Sequence, residues 1–453
     1  MALNGYPELE DVDHLGTVIG HPTADRIIAV STSEVFDDRS LLQTFWGKDA
    51  TEIDSGIQGH LYTRPRDVLV LRLPRTDETA LAQVFTALNR NSEIWQSLTG
   101  LQLATSRSRL VFSRSGATRA VLPPNASWHT GTLSDAAAAQ YQQGRGSVLA
   151  FVLNQATLQR LGVIDADLSS QAEMTSLLMD KNATMELLHA GQVPIAPTRR
   201  YTPRTWFEHG CRDLPDTGRY VFKPAGGAAG IGVFAPGPDG ATSVAVRAHV
   251  HELSQTGHLP ERFQLQQFIP GIPHGVSALV RSDGPAEILE IHRQVIRDGR
   301  CIGVRWTRTI EAAHREVAED IYSRIRAMNT LHRAASGLLC LDLINGLVIE
   351  ANPRLTASAP IAHLLSRENR IQSHRGSGFR ITQIDVDSAV RVPFERMRNG
   401  TLAGLIDDLQ ADSGVLALPQ GLNPFGPSRF VFVNDDSTGT AQAAFIRDCE
   451  SSL

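Results

Sequence analysis

Residues 219–234 read RYVFKPAGGAAGIGVF. A strand-like run carries Lys223 near its end and enters Gly226, Gly227 and Gly230, with Ala228 and Ala229 between. Glycines admit positive φ and close backbone approach, so successive N–H groups can turn toward a polyphosphate as an anion nest. A dinucleotide fingerprint needs Gly-x-Gly-x-x-Gly opening a helix, and a Walker loop needs its lysine after the glycines; neither register is met here. Taken alone, the segment is either a glycine-rich hairpin tip or a mobile β flap that closes on phosphates.

Residues 337–358, GLLCLDLINGLVIEANPRLTAS, carry the second signal. Two apolar strands flank Asn345-Gly346, a strong hairpin turn. Asp342, Glu350 and Asn352 interrupt them, with Arg354 just beyond. Carboxylates on apolar strands are costly unless paired or bound to a cation. Two carboxylates and an amide oxygen are hard ligands suited to Mg²⁺. Glu350 and Asn352 share a face, and a three-residue loop over Ile344-Asn345-Gly346, pairing Asp342 with Val348, would bring Asp342 to the same side. That loop, with Gly346 left-handed, is the expectation. Solvated acids on a half-exposed hairpin are the alternative.

The 453 residues suit two or three domains. Lys+Arg total 43 against 48 Asp+Glu, a net charge of −5 without a basic block, which argues against nucleic-acid or anionic-membrane partners. No apolar run approaches the roughly 20 residues of a membrane span. The acidic start, MALNGYPELEDVDHLG, does not read as a secretory signal. Four isolated cysteines form no zinc or disulfide pattern, so a cytoplasmic protein with reduced thiols is expected. Lysine occurs three times, at Lys48, Lys181 and Lys223. Where arginine is the default cation, a retained lysine marks a place where a compact point charge matters. Short apolar runs at RIIAVS, DVLVLRL and LVFS alternate with helical stripes, which predicts an N-terminal α/β layer with a parallel sheet.

Together and in order, these segments resemble the ATP-grasp superfamily of carboxylate–amine ligases, over roughly Asp165 to Pro360. The resemblance implies an ATP-grasp fold of α/β class, with an N-terminal pre-ATP-grasp α/β domain over 1–164. The ATP-grasp domain would cover 165–365, including a flap subdomain at about 190–268, and a small C-terminal extension 366–453. The family's first phosphate-binding lysine looks like Lys181 in MDKNATMELLHAGQVPIAPT, and its second, ahead of the flap, looks like Lys223. The flap residues would be Gly226, Gly227, Ala228 and Gly230. The adenine hinge is similar to FQLQQFIPG, which points to Gln266, Gln267, Phe268 and Ile269, and the ribose-binding position would fall at His274.

Asp342, Glu350 and Asn352 would hold one or two Mg²⁺ ions, with Mn²⁺ as an alternative, and Arg354 would orient the acid. Arg293 and Arg305, between hinge and metal strands, are the further candidates for substrate and phosphate contacts. The implied activity is ATP-dependent amide formation between a small-molecule acid and an amine or peptide, and the layout resembles peptide ligases of antibiotic biosynthesis. A carboxylase, a small-molecule kinase and a silent nucleotide-binding protein are the competing readings. The sequence leaves a homodimer open.

Overall fold

In the computed structural model, the described residues are 26–29, 60, 63, 66–72, 78–99, 102–114, 122–130, 133–143, 147–150, 152–155, 158–159, 166–226, 232–237, 239–280, 284–297, 300–328, 337–356, 358, 380–385, 416–420 and 429–434. They fall into two compact units. One holds the residues up to Ser169 and those after Thr356; the other runs from Ser170 to Thr356.

In the first unit, β1 (Arg26–Ala29), β2 (Val68–Arg72), β3 (Arg109–Arg114), β4 (Ala126–Thr130) and β5 (Ser147–Ala150) form a sheet in the order β4-β3-β2-β1-β5. Every pairing is parallel, as the alternation of strands and helices predicts. Val68 to Leu71 are almost wholly buried, the continuous apolar run expected of a strand covered on both faces. Helix α1 (Glu78–Thr99) buries the stripe Leu81, Val84 and Leu88, and α2 (Leu133–Gln142) buries Ala136, Ala137 and Ala138.

The second unit begins within α3 (Ala166–Met179) and continues into α4 (Lys181–Ala190). Strands β6 (Thr198–Tyr201), β7 (Arg219–Pro224), β8 (Ala241–Thr242) and β9 (Phe263–Gln267) make an antiparallel sheet in the order β6-β9-β7-β8. Trp206, Phe222 and Phe263 pack it against Val246 and Val250 of α5 (Ser243–Gln255). A second antiparallel set, β10 (His274–Val280), β11 (Glu287–Arg297), β12 (Arg300–Trp306), β13 (Gly337–Ile344) and β14 (Leu347–Asn352), runs in the order β14-β13-β10-β11-β12. One face of it is apolar. Val276, Ile291, Leu341 and Val348 share a core with Ile321, Tyr322 and Ile325 of α6 (Arg308–Ala327). Tyr322 fixes the helix by donating its hydroxyl to the Leu339 carbonyl at 2.6 Å.

Beyond Thr356, β15 (Arg380–Asp385), β16 (Leu416–Gln420) and β17 (Arg429–Asn434) pair antiparallel through the central β17. Among the described residues no helix is long and apolar enough to cross a membrane.

Candidate nucleotide and cation site

Two lysines reach one carboxylate from separate elements. Asp180 caps α4, accepting from Ala183 N–H at 3.0 Å while pairing with Arg262 at 2.5 Å. This cap sets Lys181 as the first helical residue, and Lys181 N–H donates to Ala225 O at 2.9 Å, tying the helix start to the end of β7. The helix ends without help from a left-handed glycine. Gly191 has φ −80°, Gln192 takes φ 56°, and a side chain at 191 would collide with Met328. Lys223, on β7, donates to Gln266 Oε1 at 3.0 Å and to Ile349 O at 2.9 Å. Lys181 Nζ lies 3.5 Å from Glu350 Oε1, and Lys223 Nζ 3.9 Å from Glu350 Oε2.

The hairpin that carries Glu350 corrects the expected three-residue loop. Asn345 (φ 51°) and Gly346 (φ 77°) form a two-residue turn, both left-handed, because asparagine tolerates that region almost as glycine does. Asp342 stands opposite Glu350, not Val348, and Leu343 opposite Val348. Ile349 is the extra residue, a bulge on β14 that restores the shared face the loop was meant to supply. The bulge also frees the Ile349 carbonyl, which accepts from Lys223 and, at 3.1 Å, from Gln266 Nε2.

Directly opposed residues in a sheet point to the same side. Register therefore aligns His292, Gly275, Asp342 and Glu350 in one row across β11, β10, β13 and β14. A second row on that face holds Glu290, Ser277, Cys340 and Asn352. Asp342 Oδ1 accepts from Gln294 Nε2 at 2.8 Å. Burial, reinforced by the Glu350 charge, pushes the Asp342 carboxyl up to about 7. Burial would also raise Glu350, but Lys181, Lys223 and Arg354 together hold it below the usual range. Burial lowers Lys223, only partly offset by Glu350, and lowers Arg354.

Two buried polar atoms here make no hydrogen bond: Asn352 Oδ1 and Arg354 Nε. An unpaired buried acceptor beside two carboxylates fits a hard cation, and an unpaired guanidinium nitrogen fits an anion. No group of three or more His, Cys, Asp or Glu among the described residues could hold a metal by itself. Asp342, Glu350 and Asn352 would leave the remaining positions to phosphate and water, the usual arrangement for Mg²⁺.

Other expectations divide. Gln266 is spent on Lys223 and the bulge, while Gln267 and Phe268 N–H donate to Pro197 O and Arg219 O, both at 2.8 Å. Ile269 N–H has no backbone partner among the described residues. Gly226 has open space where a side chain would go; Gly227, Ala228 and Gly230 lie outside the described residues.

His274, Arg293 and Arg305 do not join the acidic rows. His274 pairs with Leu343 and Arg293, and Arg293 with Arg305, which places all three on the face of α6. The His274 ring lies 3.9 Å from that of His314 on this helix. Burial and His314 lower its pKa to about 4. The reason is strand parity: the neighbours one residue away, Gly275 and His292, take the site face. Glu290, His292 and Gln294 were passed over in the sequence. Their spacing of two along EILEIHRQVIR (Glu287–Arg297) is the signal that could have found them.

Comparison with known proteins adds to this geometry. The sequence profile of the ATP-grasp domain matches residues 178–358. Among solved structures, the chain is similar to carboxyaminoimidazole ribonucleotide synthase from Aspergillus clavatus complexed with ATP, at TM-score 0.51 and 11% identity, covering 82% of this chain and 96% of that one. It is also similar to N5-carboxyaminoimidazole synthetase from Staphylococcus aureus complexed with ADP, at TM-score 0.51 and 11% identity, covering 81% and 94%. No curated protein matches the sequence. The chain is thus a mixed α/β protein that carries an ATP-grasp domain at residues 178–358.

Proposed function

We propose that this chain is an ATP-dependent ligase that joins a carboxylic acid to an amine through an acyl phosphate. The observation that carries the reading is the meeting of Lys181 and Lys223 over Glu350, with Asp342 directly opposite Glu350. Two lysines, two carboxylates and a buried arginine without a full set of partners suit a triphosphate with its cation better than they suit a packed core.

In this reading Lys181 and Lys223 exchange Glu350 for phosphate oxygens when ATP enters, and Ile269 N–H with the hinge carbonyls receives adenine. The glycines from Gly226 to Gly230 cover the β- and γ-phosphates. Asp342, Glu350 and Asn352 hold Mg²⁺, which when bound offsets the negative charge of the phosphates. The substrate carboxylate, oriented by Arg354, attacks the γ-phosphorus, and ADP leaves. The amine nitrogen then attacks the acyl carbon, inorganic phosphate departs, and the nitrogen loses a proton as the amide forms. Phosphoryl transfer of this kind needs positioning and charge neutralisation more than a covalent residue.

The layout resembles the peptide ligase of pheganomycin biosynthesis, which favours an amino acid or peptide N-terminus as the amine. The test is a screen of acid and amine mixtures with ATP. The ligase reading predicts ADP release that needs both partners and a product mass equal to acid plus amine minus water. ADP release with bicarbonate or with an alcohol alone would replace it with a carboxylase or a kinase.

A further inference from the structure

The face that carries Asp342 and Glu350 also holds a buried acid–imidazole pair to which the proposed reaction assigns no work. Glu290 is fully buried and His292 is 4% exposed. His292 Nδ1 lies 2.7 Å from Glu290 Oε2, and Ser277 Oγ–H donates to Glu290 Oε1. Cys340 Sγ–H in turn lies 3.4 Å from Ser277 Oγ. Both oxygens of Glu290 are therefore engaged. A carboxylate held in this way keeps the proton on Nδ1 and fixes the plane of the ring.

The other edge of the ring lies over Gly275. A Cβ built there would come within 2.3 Å of both Cε1 and Nε2 of His292. Gly275 is the residue directly between His292 and Asp342 in the row, so the missing side chain lets the imidazole extend toward the acids. Nε2 makes no hydrogen bond among the described residues. A buried acid–imidazole pair is a poor device for stability alone, since apolar residues of similar volume commonly do as well or better.

We propose that His292, oriented by Glu290, contacts the bound nucleotide, with Nε2 meeting a nucleotide oxygen over Gly275. That oxygen belongs to the ribose or to a phosphoryl group. This inference rests on the ATP-binding reading above and gives His292 the place on the site face that the sequence assigned to His274. His292 is the nucleotide contact and Glu290 its positioning residue.

The test is the equilibrium dissociation constant of ATP, measured by titration calorimetry for the wild-type chain, His292→Ala and His292→Asn. Asparagine places its amide near the Nδ1 position, where it can still bond Glu290, but is too short to take the Nε2 position, so it guards against a variant that misfolds; circular dichroism checks both. Loss of one hydrogen bond to a polar ligand predicts about tenfold weaker ATP binding in each. Gly275→Ala, whose methyl would displace the ring, should weaken binding likewise.

If the oxygen is on the ribose, 2′- or 3′-deoxy-ATP binds the wild type about tenfold more weakly than ATP and the variants no longer discriminate. If it is phosphoryl, the variants lose the same factor for the deoxynucleotides and for inorganic triphosphate. Unchanged ATP affinity in folded His292→Ala and His292→Asn overturns the inference while leaving the ligase reading intact. A wild-type chain that binds no ATP overturns both.

Discussion

Glu350→Gln is the substitution whose outcome follows most directly from the geometry. It removes the one carboxylate within 4 Å of both Lys181 and Lys223 among the described residues, at 3.5 and 3.9 Å, while keeping the shape of the side chain. At an effective dielectric of about 20, each pair carries a gross attraction of about 4–5 kcal/mol. Desolvation cancels much of that, but stripping the partner from buried charges typically costs about 3–5 kcal/mol. For a unit of this size each kcal/mol moves the midpoint by about 2–4 °C, so the ligand-free variant should melt about 6–20 °C lower.

ATP brings its own anionic oxygens to the same lysines. The rise in Tm on adding metal-free ATP should therefore be larger in Glu350→Gln than in the wild type. Differential scanning calorimetry with and without nucleotide reads both effects. An unchanged Tm without ligand, or an ATP-induced rise no larger than in the wild type, would show that Glu350 is not the stand-in for phosphate.

Three further outcomes are expected. His60 is buried neutral, with burial lowering its pKa to about 4 from 6.5. The unfolded chain binds this proton first as pH falls, so stability present above about pH 6.5 drains away toward pH 4, by up to about 3 kcal/mol. Urea unfolding at pH 7.5 and pH 5 should show the loss, and a His60→Gln profile as steep as the wild type would refute the assignment. Gly271 has φ 149°, and a Cβ there would sit 2.8 Å from Ile344 Cγ2 and 3.0 Å from Asn345 Oδ1. Gly271→Ala should cost about 1–3 kcal/mol by denaturant midpoint, and a loss below the error of the fit would contradict the contact. Arg293 is exposed on the α6 face, so Arg293→Ala should leave ATP affinity within twofold; a tenfold loss would return it to the site.

What could be read in the sequence was whatever stood out chemically from its surroundings. Lys181 and Lys223 stand out in an arginine-rich chain, and Asp342 and Glu350 stand out on apolar strands. Asn345-Gly346 marked the hairpin, but a three-residue loop and a two-residue turn with a bulge give the same side-chain parity. Only the register of Asp342 opposite Glu350 separates them. His274 lies on the α6 face and apart from the acidic rows, a facing that the sequence reading left uncounted. Val276 and Ala278 are core residues, and His274 lies on their side of β10. Arg293 broke the polar alternation that would otherwise have marked Glu290, His292 and Gln294 as one face.

The central claim is that the lysines and the acidic rows grip one nucleotide together with its cation. Its most direct measurement is the ATP dissociation constant of the wild type with and without Mg²⁺, beside Asp342→Asn. Tighter binding with Mg²⁺ in the wild type, and loss of that dependence in Asp342→Asn, is the predicted result. ATP binding indifferent to Mg²⁺ in the wild type, or a dependence that survives Asp342→Asn unchanged, would contradict the account.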